Sequence, residues 1–188
     1  MTLDRRRLLA LLTGGMTSPA FAETAPMNRA TAYAFSFLGL EGGTIRLLDY
    51  AGKPILIVNT ASLCGYTPQY AGLQQLWTTL HGRGLMIIGV PSNDFGAQEP
   101  GSAADIVKTA HHDYGVTFPV TQKVDIKGAN AHPFYKWAAI ERPLDTPRWN
   151  FHKYLIARDG SLAAAFATQV EPTDPRVISG IAAALDRA

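Results

Sequence analysis

The chain has 188 residues, of which 47% are hydrophobic and 17% charged, and its formal net charge at pH 7 is +2. A chain of this length and composition is expected to fold as one globular domain with a hydrophobic core. No segment repeats at a fixed period and no polar linker divides the chain, so a solenoid or a two-domain protein has no support.

The N-terminal residues have the three parts of a secretory signal. Arginines at 5–7 precede the apolar run 8–12, and Ala-Phe-Ala at 20–22 is a small-residue cleavage pattern. We therefore expect residues 1–22 to be removed during export, leaving a periplasmic or secreted chain that starts near Glu23. The adjacent arginines also resemble a twin-arginine signal. The alternative is an amphipathic helix, but the arginines are grouped before the apolar run rather than spaced along a face.

This leader accounts for the positive charge. It contains three arginines and one aspartate, so the rest of the chain has equal numbers of basic and acidic residues. We therefore expect neither nucleic acid nor an anionic membrane surface as a partner. No apolar run approaches the ~20 residues that a membrane span needs, so we expect no stable membrane anchor.

The first predicted elements have the order strand, strand, helix. Residues 44–50 alternate and end at a turn, which favours an outer strand. The β-branched apolar run 55–60 is typical of a strand that is covered on both faces. Apolar residues at helical spacing over 70–80 predict a helix, with Thr67 as its N-cap and Pro68 as its first residue.

The remaining elements complete an α/β pattern. A strand after the first helix would finish a unit that builds parallel sheets, and the later strands would form an antiparallel hairpin. This order predicts a thioredoxin-like fold with a central mixed sheet flanked by helices, although other α/β folds share parts of it. These elements are a strand at 85–90, a helix at 102–112, an extended segment at 118–120, a helix at 132–140, strands at 150–157 and 162–168, and a final helix to about residue 186.

Cys64 is the only cysteine, so no internal disulfide can form. It falls between the predicted buried strand and the predicted helix, where the helix dipole and free backbone N–H groups stabilise an anion. The thiolate is the reactive form of cysteine. The position alone leaves two interpretations open, a nucleophile and an inert buried thiol.

Four segments in sequence order carry a family resemblance: NTASLCGYTPQY at 59–70, PSNDFGAQEPG at 91–101, YGVTFP at 114–119 and WNFHKYL at 149–155. Together they resemble the glutathione peroxidase family, and the resemblance extends over about residues 31–185. It implies a thioredoxin-like fold and the reduction of peroxides by thiols.

The resemblance also implies a catalytic set of Cys64, Gln98, Trp149 and Asn150. The last three residues carry uncharged N–H donors, which would bind a thiolate and a peroxide oxygen without adding a competing negative charge. The implied reaction is attack of the Cys64 thiolate on hydrogen peroxide or an organic hydroperoxide, giving a sulfenic acid that a thiol then reduces. No cofactor is implied.

The sequence departs from the family pattern at the positions where many relatives carry a second, resolving cysteine. Segment 109–113 contains none, and Ser92 occupies another position that is often cysteine. We therefore expect an external thiol to reduce the sulfenic acid: glutathione as the leading candidate, another small thiol, or a cysteine of a partner protein. The chain between Lys136 and Trp149 lacks the insertion that tetrameric relatives use for assembly, which favours a monomer.

Proteins with a thioredoxin-like fold can have other functions. Cys64 could pass its oxidation to a partner protein, as in a peroxide sensor or relay, and a non-enzymatic binding module could keep the same motifs. A thiol–disulfide oxidoreductase would need a cysteine where Thr67 stands.

His111 and His112 are helix neighbours that point about 100° apart, so we expect no metal site there.

Overall fold

The computed structural model describes residues 30–186, and the expected export signal lies outside them. Within that range none of the helices has the length and apolar character needed to cross a membrane. The strands are β1 (Ser36–Leu38), β2 (Thr44–Arg46), β3 (Ile55–Thr60), β4 (Met86–Pro91), β5 (Lys153–Ile156) and β6 (Leu162–Phe166). The helices are α1 (Gln69–Leu80), α2 (Ala103–Val107), α3 (Pro133–Glu141) and α4 (Pro175–Asp186).

The larger sheet has the strand order β4-β3-β5-β6. Strands β3 and β4 are parallel and are joined through α1, as the strand–helix–strand pattern predicts. Strand β5 runs antiparallel to both β3 and β6, which makes the sheet mixed. Strands β1 and β2 form a separate antiparallel hairpin.

Both faces of the sheet are covered, which explains the continuous apolar run of β3. All six residues of β3 are buried, and its alternate side chains enter two different cores. Leu56 and Val58 pack with α1 and α4, whereas Ile55 and Ile57 pack with α3. Burial of one such side chain contributes about 1.5–3 kcal/mol.

Several element boundaries differ from the sequence expectation. Strand β2 ends at Arg46, because the chain then turns so that Leu47 is buried, and residues 47–50 form a 3₁₀ turn. The predicted helix 102–112 begins as α2, with Ser102 and Asp105 in a capping box, and continues as the π-helical segment Lys108–Asp113. The closing strands are shorter than predicted but pair as the expected hairpin.

Candidate active site

Three segments that are distant in sequence meet at one edge of the larger sheet. Cys64 follows the end of β3, and Gln98 follows the end of the parallel neighbour β4. Asn150 precedes β5, which runs in the opposite direction and therefore begins at the same edge. The fold thus collects residues from three motifs into one region.

Cys64 lies in a tight turn that Thr67 holds together. The Cys64 side chain is 7% exposed, and the backbone N–H of Tyr66 donates to its Sγ at 3.4 Å. The Thr67 Oγ1 accepts from the Cys64 N–H at 3.1 Å and lies 2.9 Å from the Ala61 carbonyl oxygen, to which it donates. The prediction of Thr67 as a helix N-cap is wrong, since α1 begins at Gln69 and the hydroxyl closes the cysteine turn instead.

Gln98 and Asn150 are joined by a side-chain hydrogen bond. Asn150 is fully buried, and its Nδ2 donates to Gln98 Oε1 at 3.0 Å and to the Phe95 carbonyl oxygen at 3.3 Å. Both amide hydrogens of Asn150 are therefore engaged within the protein. Because the oxygen of Gln98 is also engaged, Gln98 keeps its NH₂ group as its free donor, and no residue within 30–186 accepts from it.

Trp149 lies beside Gln98 across Gly96. A Cβ atom placed on Gly96 would lie 3.2 Å from Cη2 of Trp149 and 3.5 Å from Cδ of Gln98. Gly96 also has φ +67°, a conformation that side-chain-bearing residues rarely adopt. Trp149 is 37% exposed. Glycine at position 96 therefore lets the indole and the amide approach each other.

Backbone strain is concentrated at the residues next to these donors. Ala97, next to Gln98, has φ 51°, and Phe151, next to Asn150, has φ 61°. They are the non-glycine residues with positive φ in the described part of the chain. Left-handed conformations of such residues cost roughly 1–3 kcal/mol and cluster at functional sites. The surrounding contacts, such as the Phe151 N–H bond to the Asn59 carbonyl oxygen at 2.6 Å, hold them in place.

The donor residues are linked to the cysteine turn through the backbone. The Leu63 N–H donates to the Gln98 carbonyl oxygen at 3.0 Å. Among residues 30–186, the hydrogen bond to the Cys64 sulfur comes from Tyr66 and from none of the three predicted donors. The structure therefore brings Gln98, Trp149 and Asn150 together and ties the segment that carries Gln98 to the turn that carries Cys64.

Three buried ionisable groups surround the site. Burial lowers the pKa of His152 to about 4, and the positive charge of Lys153 acts in the same direction. Burial likewise lowers the pKa of Lys153 to about 7, against the opposing effect of Glu171. Burial raises the pKa of the Glu99 carboxyl group, although contacts with Ser62 act in the opposite direction. The sequence identifies none of these three, because the type of residue does not show burial.

Two clefts open near the site. One, of about 790 Å³, contains Cys64 and faces the segment from Lys108 to Tyr114. The other, of about 710 Å³, is lined by Tyr66, Trp149 and His152 among others. In the described residues, no cluster of three or more His, Cys, Asp or Glu side chains could hold a metal ion.

Known proteins are similar to this chain in both sequence and fold. The sequence model described as Glutathione peroxidase matches residues 32–139, which include Cys64 and Gln98. Hydroperoxy fatty acid reductase gpx1 of Synechocystis sp. is 41% identical over 160 residues, which cover 80% of this chain and 94% of that protein. The crystal structure of Trgpx in its apo form has a TM-score of 0.69 and 32% identity, covering 84% of this chain and 97% of Trgpx.

A more distant structure shows the fold alone. A thiol:disulfide interchange protein of the thioredoxin family from Chlorobium tepidum has a TM-score of 0.61 at 18% identity, covering 86% of this chain and 99% of that one. The thioredoxin-like fold expected from the order of elements is thereby confirmed.

Proposed function

The chain belongs to the glutathione peroxidase family and reduces hydroperoxides with thiols, and from that premise we propose that Cys64 is the residue that attacks the peroxide. The thiolate forms a bond to the terminal peroxide oxygen while the O–O bond breaks. The departing oxygen takes up a proton and leaves as an alcohol or as water, and Cys64 becomes a sulfenic acid.

The hydrogen bond from Asn150 to Gln98 is the observation that carries this assignment. It fixes the Gln98 amide so that its NH₂ group, together with the Trp149 indole N–H, is available to the peroxide oxygens. Both donors are uncharged, so they do not form an ion pair with the thiolate. They remain able to stabilise the negative charge that develops on the peroxide oxygen. Asn150 acts through Gln98 and is a positioning residue in this proposal.

An external thiol completes the cycle, because the chain has a single cysteine. The first thiol forms a mixed disulfide with Cys64, and a second thiol releases the free cysteine. We propose glutathione as this reductant. The alternative of a sensor or relay is not favoured, since the relatives are named as enzymes that turn over peroxide substrates.

Organic hydroperoxides with long apolar chains are among the proposed substrates. The Synechocystis relative is named a hydroperoxy fatty acid reductase. The cleft beside Trp149 supports the same class here, because it includes Tyr66 and the 86% exposed Leu144. These side chains would cover a hydrocarbon tail while the hydroperoxide group lies beside Trp149.

We also propose that the protein acts as a monomer outside the cytoplasm. The three-part pattern over residues 1–22 supports export to the periplasm or secretion. A short connection between α3 and β5, over residues 142–152, supports an unassembled protein with an open active-site face.

Intact mass spectrometry tests the proposed chemistry. Purified protein treated with one equivalent of peroxide should gain one oxygen atom at Cys64, form an adduct with glutathione, and return to the free thiol with excess glutathione. Steady-state turnover should follow with peroxide and glutathione together. An unmodified Cys64 would refute the assignment, whereas oxidation that stops after one equivalent of peroxide would favour the relay.

A further inference from the structure

Lys153 is a buried lysine that the proposed peroxide chemistry does not use. It begins β5, shortly after Asn150, and its side chain is fully buried. The Nζ donates to Gln69 Oε1 at 2.5 Å and to the Val170 carbonyl oxygen at 2.6 Å. Lys153 therefore joins three parts of the chain, which are β5, the first residue of α1 and the turn that follows β6.

Stability alone does not explain a lysine at this position. Removing an ammonium group from water is costly unless a counter-ion compensates for the lost hydration. Within residues 30–186 Lys153 forms no ion pair, because both of its acceptors are uncharged and the Glu171 carboxylate accepts from Gln69 instead, at 3.3 Å. A methionine of similar volume would avoid this cost. The specific contribution of the lysine is the pair of hydrogen bonds that it donates.

One branch of these contacts leads to the cysteine turn. Gln69 is the first residue of α1, and its backbone N–H donates to the Tyr66 carbonyl oxygen at 2.9 Å. The N–H of Tyr66 in turn donates to Cys64 Sγ at 3.4 Å. A shift of Gln69 would therefore move the residue that donates to the sulfur.

The other branch leads to the segment that carries the proposed donors. Gln69 Nε2 donates to the Thr168 carbonyl oxygen at 2.8 Å, and Thr168 Oγ1 donates to the Asn150 carbonyl oxygen, also at 2.8 Å. These residues are all buried, so water does not compete for their hydrogen bonds. We call Lys153, Gln69 and Thr168 the lysine junction. It connects the Cys64 turn with Asn150.

We propose that Lys153 is a positioning residue, and that the lysine junction holds the Cys64 turn in register with the donors of the peroxide site. This inference rests on the proposed function, in which Cys64 attacks a peroxide bound by Gln98 and Trp149. The attack needs aligned groups, and a misplacement of about 1 Å can slow a reaction on the order of a hundredfold. Without the bonds of Lys153, the start of α1 and the turn after β6 can shift relative to each other, which moves the sulfur out of alignment.

The test compares two reactions of Cys64 that differ in what they need. Attack on hydrogen peroxide needs the sulfur aligned with its donors, whereas alkylation by iodoacetamide needs a reactive thiol but none of these donors. We expect Lys153→Met to slow sulfenic acid formation about ten- to a hundredfold in stopped-flow experiments. The rate constant for alkylation should stay unchanged. A merely structural loss would instead open the fold around the buried Cys64 and speed alkylation.

Two further variants sharpen the comparison. Ile156→Val is the matched buried control, because Ile156 ends the same strand and packs into the core on the face opposite Lys153. It should lower the thermal unfolding midpoint without slowing sulfenic acid formation. Thr168→Val keeps the shape of the side chain but removes the hydroxyl that donates to Asn150. It should slow the peroxide reaction and leave alkylation unchanged.

The outcomes separate the positioning role from the proposed function. An unchanged rate of sulfenic acid formation in Lys153→Met would overturn the positioning role, and so would a slower rate that comes with faster alkylation or an equal slowing in Ile156→Val. If Lys153→Met does not fold, Thr168→Val decides, since an unchanged peroxide reaction in that variant overturns the role and a slower one supports it. Absence of sulfenic acid at Cys64 in the unmodified protein would instead refute the peroxidase assignment.

Discussion

On one side of Cys64, Asn150 and Phe151 are fully buried, and the Asn150 and Gln98 side chains are hydrogen-bonded. The cleft that contains Cys64 is instead bordered by Lys108 and Asp113, which meet as an exposed ion pair; we call these two residues the cleft side. We call Gln98, Trp149 and Asn150 the donor side. Its backbone is strained and tightly held, which suits a step whose transition state needs fixed donors. The cleft side has only an exposed ion pair, which contributes little to holding its backbone in place.

Replacing the residue on which the two sides converge should have the largest effect. We expect Cys64→Ser to lower peroxide consumption with glutathione by at least about a thousandfold, because a serine hydroxyl is a far weaker nucleophile than a thiolate at neutral pH. Peroxide assays measure the loss, and thermal unfolding checks that the fold is kept. Substantial remaining activity would mean that Cys64 is not the attacking residue.

The hydrogen bond within the donor side predicts non-additive effects. Gln98→Ala should slow sulfenic acid formation by about a hundredfold, the typical cost of one missing donor. Asn150→Ala should also slow this step because Gln98 loses its orientation. If Asn150 acts through Gln98, the double variant should be no slower than Gln98→Ala. Stopped-flow measurement with peroxide tests this, and strictly additive losses would show that Asn150 acts independently of Gln98.

Burial on the donor side should make the fold sensitive to acid. His152 has a pKa of about 4 when folded and an ordinary value of 6.5, so below pH 6.5 the unfolded chain binds a proton that the folded chain does not. Stability is therefore lost as the pH falls from 6.5 to 4, by about 3 kcal/mol from this residue.

Denaturant unfolding at several pH values measures this effect. His152→Phe should flatten the pH dependence of the unfolding free energy between pH 6.5 and 4. His112→Gln, at an exposed position, should show the same slope as the unmodified protein. Equal slopes for His152→Phe and the unmodified protein would show that His152 is not the group responsible.

The smallest effect concerns the strained backbone of the donor side. Ala97→Gly should raise the free energy of unfolding by about 0.5–1 kcal/mol, because glycine tolerates φ 51° without strain but has more freedom when unfolded. Ala183→Gly, in the exposed part of α4, should instead lower it by about 1 kcal/mol. The same sign for both substitutions in denaturant unfolding would contradict the assignment of strain to position 97.

The sequence predicts the framework of the site better than its contacts. The apolar run of β3 ends just before Cys64, so the position of the cysteine at the sheet edge follows from local pattern alone. The bond between Gln98 and Asn150 joins residues 52 positions apart and forms only when the sheet closes. The family resemblance therefore implies both residues as donors, while only the structure shows the hydrogen bond between them.

The sequence also does not show which charged side chains are buried. Lys153 lies in a predicted strand, and nothing in the neighbouring residues shows that its Nζ reaches Gln69 Oε1 and the Val170 carbonyl oxygen. The prediction for Thr67 is wrong for a related reason. A Thr-Pro pair is a common helix start, but here the tertiary position of the cysteine turn determines where the hydroxyl bonds.

The position of β5 has a consequence for the newly made chain. This strand lies between β3 and β6, and Trp149 and Asn150 immediately precede it, 85 or more residues after Cys64 in the sequence. Contacts between such distant segments form late, since a long loop must close before they are made. During synthesis the thiol is thus present long before the residues that complete the proposed donor side, and we expect the emerging chain to react slowly with peroxide until folding is nearly finished.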